Sequence, residues 1–277
     1  MTRPDSIRAV AFDCFGTPLT IRAPRNPWKR LVEEAGLKGV RPTPDPRREP
    51  IPTIEAFAAA CGIDFRPEWR RDLDLEIASI TLAPGAYDVL RHLRAAGLRL
   101  ALASNLAPAY VPSVKRLLGD LVDVTCFSCA DDVRAVKPEA AFFAALRQKL
   151  AVSPENILMV GDSLSSDIVV ARDAGMAALH LDPSVLDSGP GQIRNLYECL
   201  MALGITDHSA WSSTQVVPFP GDDLPPGGPS FITRVCGVGI GSWVGRFGQA
   251  RRERSSQIAQ SSGAPRAAFG SRAMNEA

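Results

Sequence analysis

Between Pro84 and about residue 182 the chain alternates helix-period and strand-like apolar segments joined by short connections, and this alternation restricts the fold more than any other feature. Pro84 can open a helix whose apolar positions Val89, Leu90 and Leu93 share a face and which Gly97 can close. "LRLALASN" then reads as a buried strand, "AYVPSVKRLLG" as a helix from Pro112, and "LVDVTCFSC" as a further strand. Pro138 and Glu139 start an amphipathic helix through Ala141, Phe142, Ala145, Leu146 and Leu150. "NILMVGDS" is a strand ending in a carboxylate, "SDIVVARDAGM" a helix ending near Gly175, and "AALHL" a fifth strand. Alternation of this kind predicts right-handed β-α-β units in a doubly wound parallel sheet, an α/β fold covered by helices on both faces. Ligands in such sheets bind outside the carboxyl edge, so polar residues at strand ends carry the functional information.

Two regions break the pattern. After an apolar run that ends at Asp13, residues 18–82 hold three predicted helices, near 27–36, 53–61 and 67–80, and a connector, "RPTPDPRREPIP", too proline-dense for helix or inner strand. This predicts a small helical cap, with residues 1–17 and 83–205 forming the α/β core. After a predicted helix at 191–203 the composition turns to Gly, Ser, Pro and Arg, so 206–277 is expected to be a low-complexity, disordered tail. Within it "VCGVGIGSWVG" is apolar but broken by glycines, and it lacks the strand–turn–helix context of a dinucleotide fingerprint.

Charge excludes several functions. Lys plus Arg number 31 and Asp plus Glu 30, a formal charge of +1, which gives no global attraction to nucleic acid or an anionic membrane. No window reaches the roughly 18–20 apolar residues of a membrane span. Six scattered cysteines and an N-terminus without a long apolar region favour the cytoplasm. Cys126 and Cys129 form a lone C-x-x-C in an apolar strand context, which argues against metal or redox use. His92, His180 and His208 are not placed for a triad or a zinc site. Trp28 and Trp69, on predicted cap helices, read as cap core rather than substrate stackers.

Four polar features fall at strand or loop ends of the repeating block: Asp13, Ser104–Asn105, Lys137, and "GDSLSSD" with Asp162 and Asp167. Each alone has an ordinary reading, such as a turn cap, a helix cap or a solvated cation. Together at one sheet edge they form a complete phosphoryl-transfer set. Asp13 can attack phosphorus, a second carboxylate can help hold Mg²⁺, Thr17 and Ser104 offer neutral donors, and Lys137 offers a positive one.

These residues carry a resemblance. Asp13, Gly16 and Thr17 match Asp-x-x-Gly-Thr; Ser104, followed by Asn105, ends a hydrophobic strand; Lys137 precedes Pro138; and Gly161, Asp162 and Asp167 match Gly-Asp-x-x-x-x-Asp. In this order, over about residues 7–182, the chain resembles the haloacid dehalogenase superfamily of hydrolases, in the branch with a helical cap after the first strand. The resemblance implies an aspartyl-enzyme intermediate on Asp13, with Thr17, Ser104 and Lys137 as its catalytic partners and Gly16 and Asn105 among the substrate-binding residues. It implies Mg²⁺ held by Asp13, Asp162, Asp167 and the Phe15 carbonyl, and a small-molecule substrate, a phosphorylated metabolite or a haloacid, chosen by the cap.

Phe15 departs from that pattern, because ordinary phosphatases of the family carry a second Asp there as general acid and base. Losing such a group typically costs about 10²–10⁴ in rate. A halide leaves without a proton, and the 2-haloacid dehalogenases usually replace this Asp with an aromatic residue. They also use no metal and take the halide with a cap arginine, for which Arg41, Arg47 and Arg48 are candidates here. Asp162 and Asp167 point the other way, since two carboxylates facing Asp13 without a cation would raise its pKa and harm the nucleophile. Mg²⁺-dependent phosphate hydrolysis is therefore the favoured expectation. Carbon–halogen hydrolysis is the alternative, and a catalytically weak ligand- or partner-binding protein the second.

Overall fold

Four consecutive buried residues, Ala9–Phe12, form β1 at the centre of a six-stranded sheet in this computed structural model, which describes residues 6–36 and 45–205. On one side β1 pairs in parallel with β4 (Arg99–Ser104), and β4 with β5 (Val124–Phe127). On the other it pairs with β6 (Ile157–Gly161), followed by β7 (Ala177–Leu181) and β8 (Gln192–Ile193). The order β5-β4-β1-β6-β7-β8, parallel throughout, is the expected doubly wound α/β sheet. The chain reverses direction from β1 between β4 and β6, so the C-terminal ends of these three strands surround one crevice.

The two faces differ in side-chain size. Ala9, Ala11, Ala101 and Ala103 line one face, leaving room for Phe142, Phe143, Leu146 and Leu150 of α6 (Ala140–Leu150) and for Ile168 and Ala171. Val10, Phe12, Leu100 and Leu102 line the other, against α4 (Ala86–Ala95), α5 (Val111–Leu118) and α8 (Tyr197–Ala202). Small residues on one side and large on the other let unequal helices pack at close density on a single pleated sheet.

The segment after β1 carries the three expected helices, α1 (Pro27–Glu34), α2 (Ile54–Ala60) and α3 (Pro67–Ala78). It is not purely helical. Its two ends pair antiparallel as β2 (Leu19–Ile21) and β3 (Ile80–Leu82), each too short to show a period in sequence. Trp69 is buried in α3 and Trp28 packs edge-on against Phe57 with ring centroids 5.4 Å apart, so both serve the packing of this segment. Its apolar residues are continuous with the sheet: Leu31, Phe57, Trp69 and Leu73 belong to the same buried cluster as Val10 and Phe12.

Three predicted boundaries change. The helix expected from Pro138 begins at Ala140, because Val136–Glu139 closes a turn, Glu139 N–H donating to Val136 O at 2.8 Å, with Lys137–Pro138 in cis. The helix expected after Asp162 opens with a π-helical stretch, Leu164–Val169, before α7 (Val170–Asp173). The helix expected at 191–203 is the edge strand β8 followed by α8, since the His180 and Asp182 amides recruit Gly191 O and Ile193 O into the sheet at 2.9 Å each. Arg41, His208 and the tail from residue 206 lie outside the described residues. No helix among the described residues is long and apolar enough to cross a membrane.

Candidate active site

β1 ends at Phe12, and Asp13 follows at the carboxyl edge, its amide donating to Val160 O at 2.9 Å across the crevice. The chain then turns back on itself, Leu19 N–H donating to Cys14 O and Gly16 N–H to Leu19 O, each at 2.9 Å. Gly16 makes this turn possible twice over. Its φ is +82°, and a Cβ there would lie 2.1 Å from Asp162 Oδ2. Gly161, at the end of β6, leaves space in the same way for Asp167, whose Oδ2 would sit 2.4 Å from an added Cβ.

The centre of the site is the Lys137 ammonium. Its Nζ donates to Asp13 Oδ1 at 2.5 Å, Asp167 Oδ1 at 2.6 Å and Ala103 O at 2.9 Å, with the Lys137 side chain 2% exposed. Burial alone would push this amine down, but the two carboxylates more than offset it and hold its pKa above the ordinary lysine value. Asn105 fixes the Lys137 backbone from both sides: its Nδ2 donates to Lys137 O at 2.9 Å and its Oδ1 accepts from Lys137 N–H at 2.7 Å. Asn105, expected among the substrate-binding residues, is thereby fixed against the Lys137 backbone.

Asp13, Asp162 and Asp167 each present an oxygen within 4.8 Å of the others. Burial, with the charges of Asp13 and Asp167 added, raises the Asp162 carboxyl above its usual range. Burial raises Asp167 as well, despite the Lys137 charge that pulls it down. Three carboxylates against one ammonium leave the edge short of positive charge, and their oxygens are the donor type a hard divalent cation takes. The residues present therefore fit Mg²⁺. Asp167 also accepts from Ser163 N–H at 3.1 Å, which fixes its carboxylate beside Lys137.

Thr17 and Ser104 are buried beside this group, and Thr17 Oγ1 has no hydrogen-bond partner. A buried hydroxyl left unpaired is costly unless something arrives to use it. Phe15 is half-buried, its ring edge-on to Tyr110 at 5.8 Å between centroids. Tyr110 is itself anchored, its hydroxyl donating to Glu76 Oε1 of α3 at 2.6 Å. Glu76 Oε2 accepts the Arg25 and Asn26 amides at 2.5 and 2.7 Å, and burial followed by Glu76 raises the Tyr110 pKa.

Of the halide-arginine candidates, Arg47 is paired with Asp45 at 2.9 Å and Arg48 with Glu139. His180, near the end of β7, has Nε2 3.0 Å from Asp162 O. Sequence reasoning gave His180 no role, took Glu139 only as a helix start, and gave Glu76 and Tyr110 no role. Only the position of Glu139, two residues after Lys137, was a usable signal. Cys126 and Cys129 are buried, and burial pushes the Cys126 thiol up to about 12, so it is a protonated thiol at neutral pH.

The chain is thus an α/β protein with a parallel sheet, a buried lysine bridging carboxylates at the sheet's carboxyl edge, and a segment inserted after the first strand. The chain belongs to the haloacid dehalogenase-like hydrolases, whose family model matches residues 7–175. It is 31% identical over 126 residues to a haloacid dehalogenase-like hydrolase domain-containing protein of Arabidopsis thaliana, covering 42% of this chain and 39% of that protein. It is 33% identical over 100 residues to the phosphoglycolate phosphatase of Vibrio vulnificus, covering 36% and 43%. The matched stretch thus spans about two-fifths of these curated relatives. The crystal structure of a HAD phosphatase from Thermococcus onnurineus superposes with a TM-score of 0.54 at 26% identity, covering 72% of this chain and 98% of that one.

Proposed function

We propose that this hydrolase cleaves a small phosphorylated metabolite with Asp13 as nucleophile and Mg²⁺ as cofactor. The observation that carries the reading is the grouping of Asp13, Asp162 and Asp167 around the Lys137 ammonium. The Asp13 oxygen not engaged by Lys137 attacks phosphorus, the bond to the leaving oxygen breaks with its electron pair, and an aspartyl phosphate forms. Water then attacks this acyl phosphate, releasing inorganic phosphate and restoring the Asp13 carboxylate. Lys137 stays protonated throughout and stabilises charge on the transferring oxygens, while the Thr17 and Ser104 hydroxyls offer neutral donors. Asn105 holds the Lys137 backbone and, with Gly16, belongs to the substrate-binding residues. Asp13, Asp162, Asp167 and the Phe15 carbonyl would hold Mg²⁺, which supplies electrostatic stabilisation of the phosphoryl group. Residues 18–82 serve as the cap that selects the substrate.

Phe15 has no proton to give, so the favoured leaving groups are acidic ones, as in acyl or aryl phosphates. The same residue is the observation behind a second reading, carbon–halogen hydrolysis. Against it stand the acidic trio and the pairing of Arg47 and Arg48 with carboxylates.

One parallel assay tests both: phosphate release from acetyl phosphate and p-nitrophenyl phosphate, and chloride release from 2-chloropropionate, with Mg²⁺ or chelator, using Asp13→Asn as control. Mg²⁺-dependent phosphate release lost in Asp13→Asn is expected. Chelator-insensitive chloride release lost in the same variant would overturn the phosphatase reading, and ligand-induced stabilisation without turnover would leave a binding protein.

A further inference from the structure

The turn that carries Lys137 is held from outside by the inserted segment. Arg48 Nη1 donates to Arg134 O at 3.1 Å, and Arg48 Nη2 pairs with Glu139 Oε1. Glu139 also reaches back to the Val136 amide through Oε2 at 3.3 Å, closing the turn over Lys137. One guanidinium thus joins the two ends of the 134–139 loop, using the paired donors that distinguish arginine from lysine.

Two further observations mark this as a built contact. Arg134 has a φ of +40°, a left-handed conformation that a non-glycine residue keeps only where its surroundings hold it. Its carbonyl is the one Arg48 takes, and its side chain pairs with Asp131 at 2.6 Å. On the other partner, Arg48 is aimed by a folded turn. The buried Asp45 accepts the Arg47 amide on Oδ1 at 2.9 Å, and Asp45 O accepts the Arg48 and Glu49 amides at 2.9 and 2.8 Å. The run "DPRRE" thereby presents one arginine to its own aspartate and the next to the sheet edge.

We propose that Arg48 is a positioning residue that couples the seating of the inserted segment to the alignment of Lys137. When the 45–49 turn is docked, the lysine loop is clamped at both ends while Asn105 holds its middle. When the turn lifts, the loop loses Arg48 at both ends, and the ammonium loses its fixed distance to Asp13 and Asp167. Substrate contacts made by the insertion are in this way communicated to the nucleophile without any insertion residue touching phosphorus. The catalytic half of this inference rests on the phosphatase reading; the mechanical half does not.

The test compares wild type, Arg48→Ala and Arg48→Lys as full chains. Hydrogen exchange of the amides over residues 131–139 should quicken roughly three- to tenfold in Arg48→Ala, the range expected when a partly exposed ion pair and a solvent-screened hydrogen bond of ordinary net strength are lost, with β1 and β4 unchanged. Arg48→Lys, which can keep Glu139 but not both acceptors, should fall between. With acetyl phosphate and Mg²⁺, kcat should fall about tenfold while KM moves less than about twofold, the signature of misplaced chemistry rather than lost binding. Unchanged exchange over 131–139 would overturn the clamp, and faster exchange with unchanged kcat would overturn the coupling. If no phosphate compound is turned over, the phosphatase reading fails while the exchange comparison still judges the clamp.

Discussion

If Asp162 helps hold Mg²⁺ as proposed, replacing Gly16 by alanine should damage metal binding more than the fold. The added Cβ would lie 2.1 Å from Asp162 Oδ2 and 2.7 Å from its Cγ, so the carboxylate must retreat by about 0.9 Å to reach the 3.0 Å below which such contacts are essentially never found. Asp162 keeps solvent access although its carboxyl end is partly enclosed by the site, and that end is the free tip of a rotatable side chain, so the retreat itself is cheap. The backbone strain is not avoidable: at φ +82° a Cβ costs about 1–2 kcal/mol. For a domain of this size that corresponds to a fall of roughly 2–8 °C in melting temperature. Mg²⁺ accepts oxygen only near 2.0–2.1 Å, within about 0.2 Å, so a ligand displaced by several tenths of an ångström no longer coordinates well. A loss of about 10–100-fold in Mg²⁺ affinity is expected, read by calorimetric titration of the metal-free protein. Gly16→Ala protein that melts lower but binds Mg²⁺ within twofold of wild type would refute the assignment of Asp162 as a ligand. At Gly161 an added Cβ would meet Asp167 Cβ at 2.6 Å as well as its Oδ2, and Asp167 is buried, so the strain there has no flexible outlet.

The raised Asp162 and Asp167 carboxyls contribute stability that is present below the ordinary carboxylate pKa and lost as pH rises through their elevated values. Metal-free protein should therefore lose thermal stability as pH rises above the ordinary carboxylate range, and the stabilisation by Mg²⁺ should grow in the same direction; a Mg²⁺ increment independent of pH would contradict this. Tyr110→Phe removes one donor from the buried Glu76 carboxylate while leaving the Phe15 packing in place, so a loss of about 1–3 kcal/mol is expected in denaturant unfolding, and no change would mean that water replaces the hydroxyl.

What the sequence made legible was periodic or local. The β4 run, the amphipathic α6 and the strand-end positions of Asp13, Ser104 and Asp162 follow from apolar spacing and from the rule that such sheets expose polar residues at their carboxyl edge. The three helices of the inserted segment were readable, and the structure shows local starts for them: Pro27 and Pro67 open two, and Thr53 caps the third, its hydroxyl accepting the Ala56 amide at 3.1 Å. The two-residue β8 and the three-residue β2 and β3 were not, since no period can be seen in so few residues. Nor were Arg48 with Glu139 or Glu76 with Tyr110, partners 91 and 34 positions apart. Their pairing is fixed by how the insertion seats on the sheet, a tertiary fact with no local signature.

That seating gives Phe15 its meaning. In the family pattern its position carries an acid, and a bare loss there would leave a gap; here the ring fills a half-buried place against Tyr110, and Tyr110 is tied through Glu76 to α3 and to the Arg25–Asn26 amides at the entry to α1. The aromatic contact therefore belongs to the junction between insertion and sheet, with Phe15 packed against the buried cluster that contains Leu19 and Ile80. A carboxylate at this position would exchange an apolar junction contact for a fourth negative charge near Asp13, Asp162 and Asp167, beside a tyrosine that already donates to Glu76. This corner of the site is therefore given to holding the insertion in place, with the Phe15 ring packed on Tyr110 where a carboxylate would have to be accommodated.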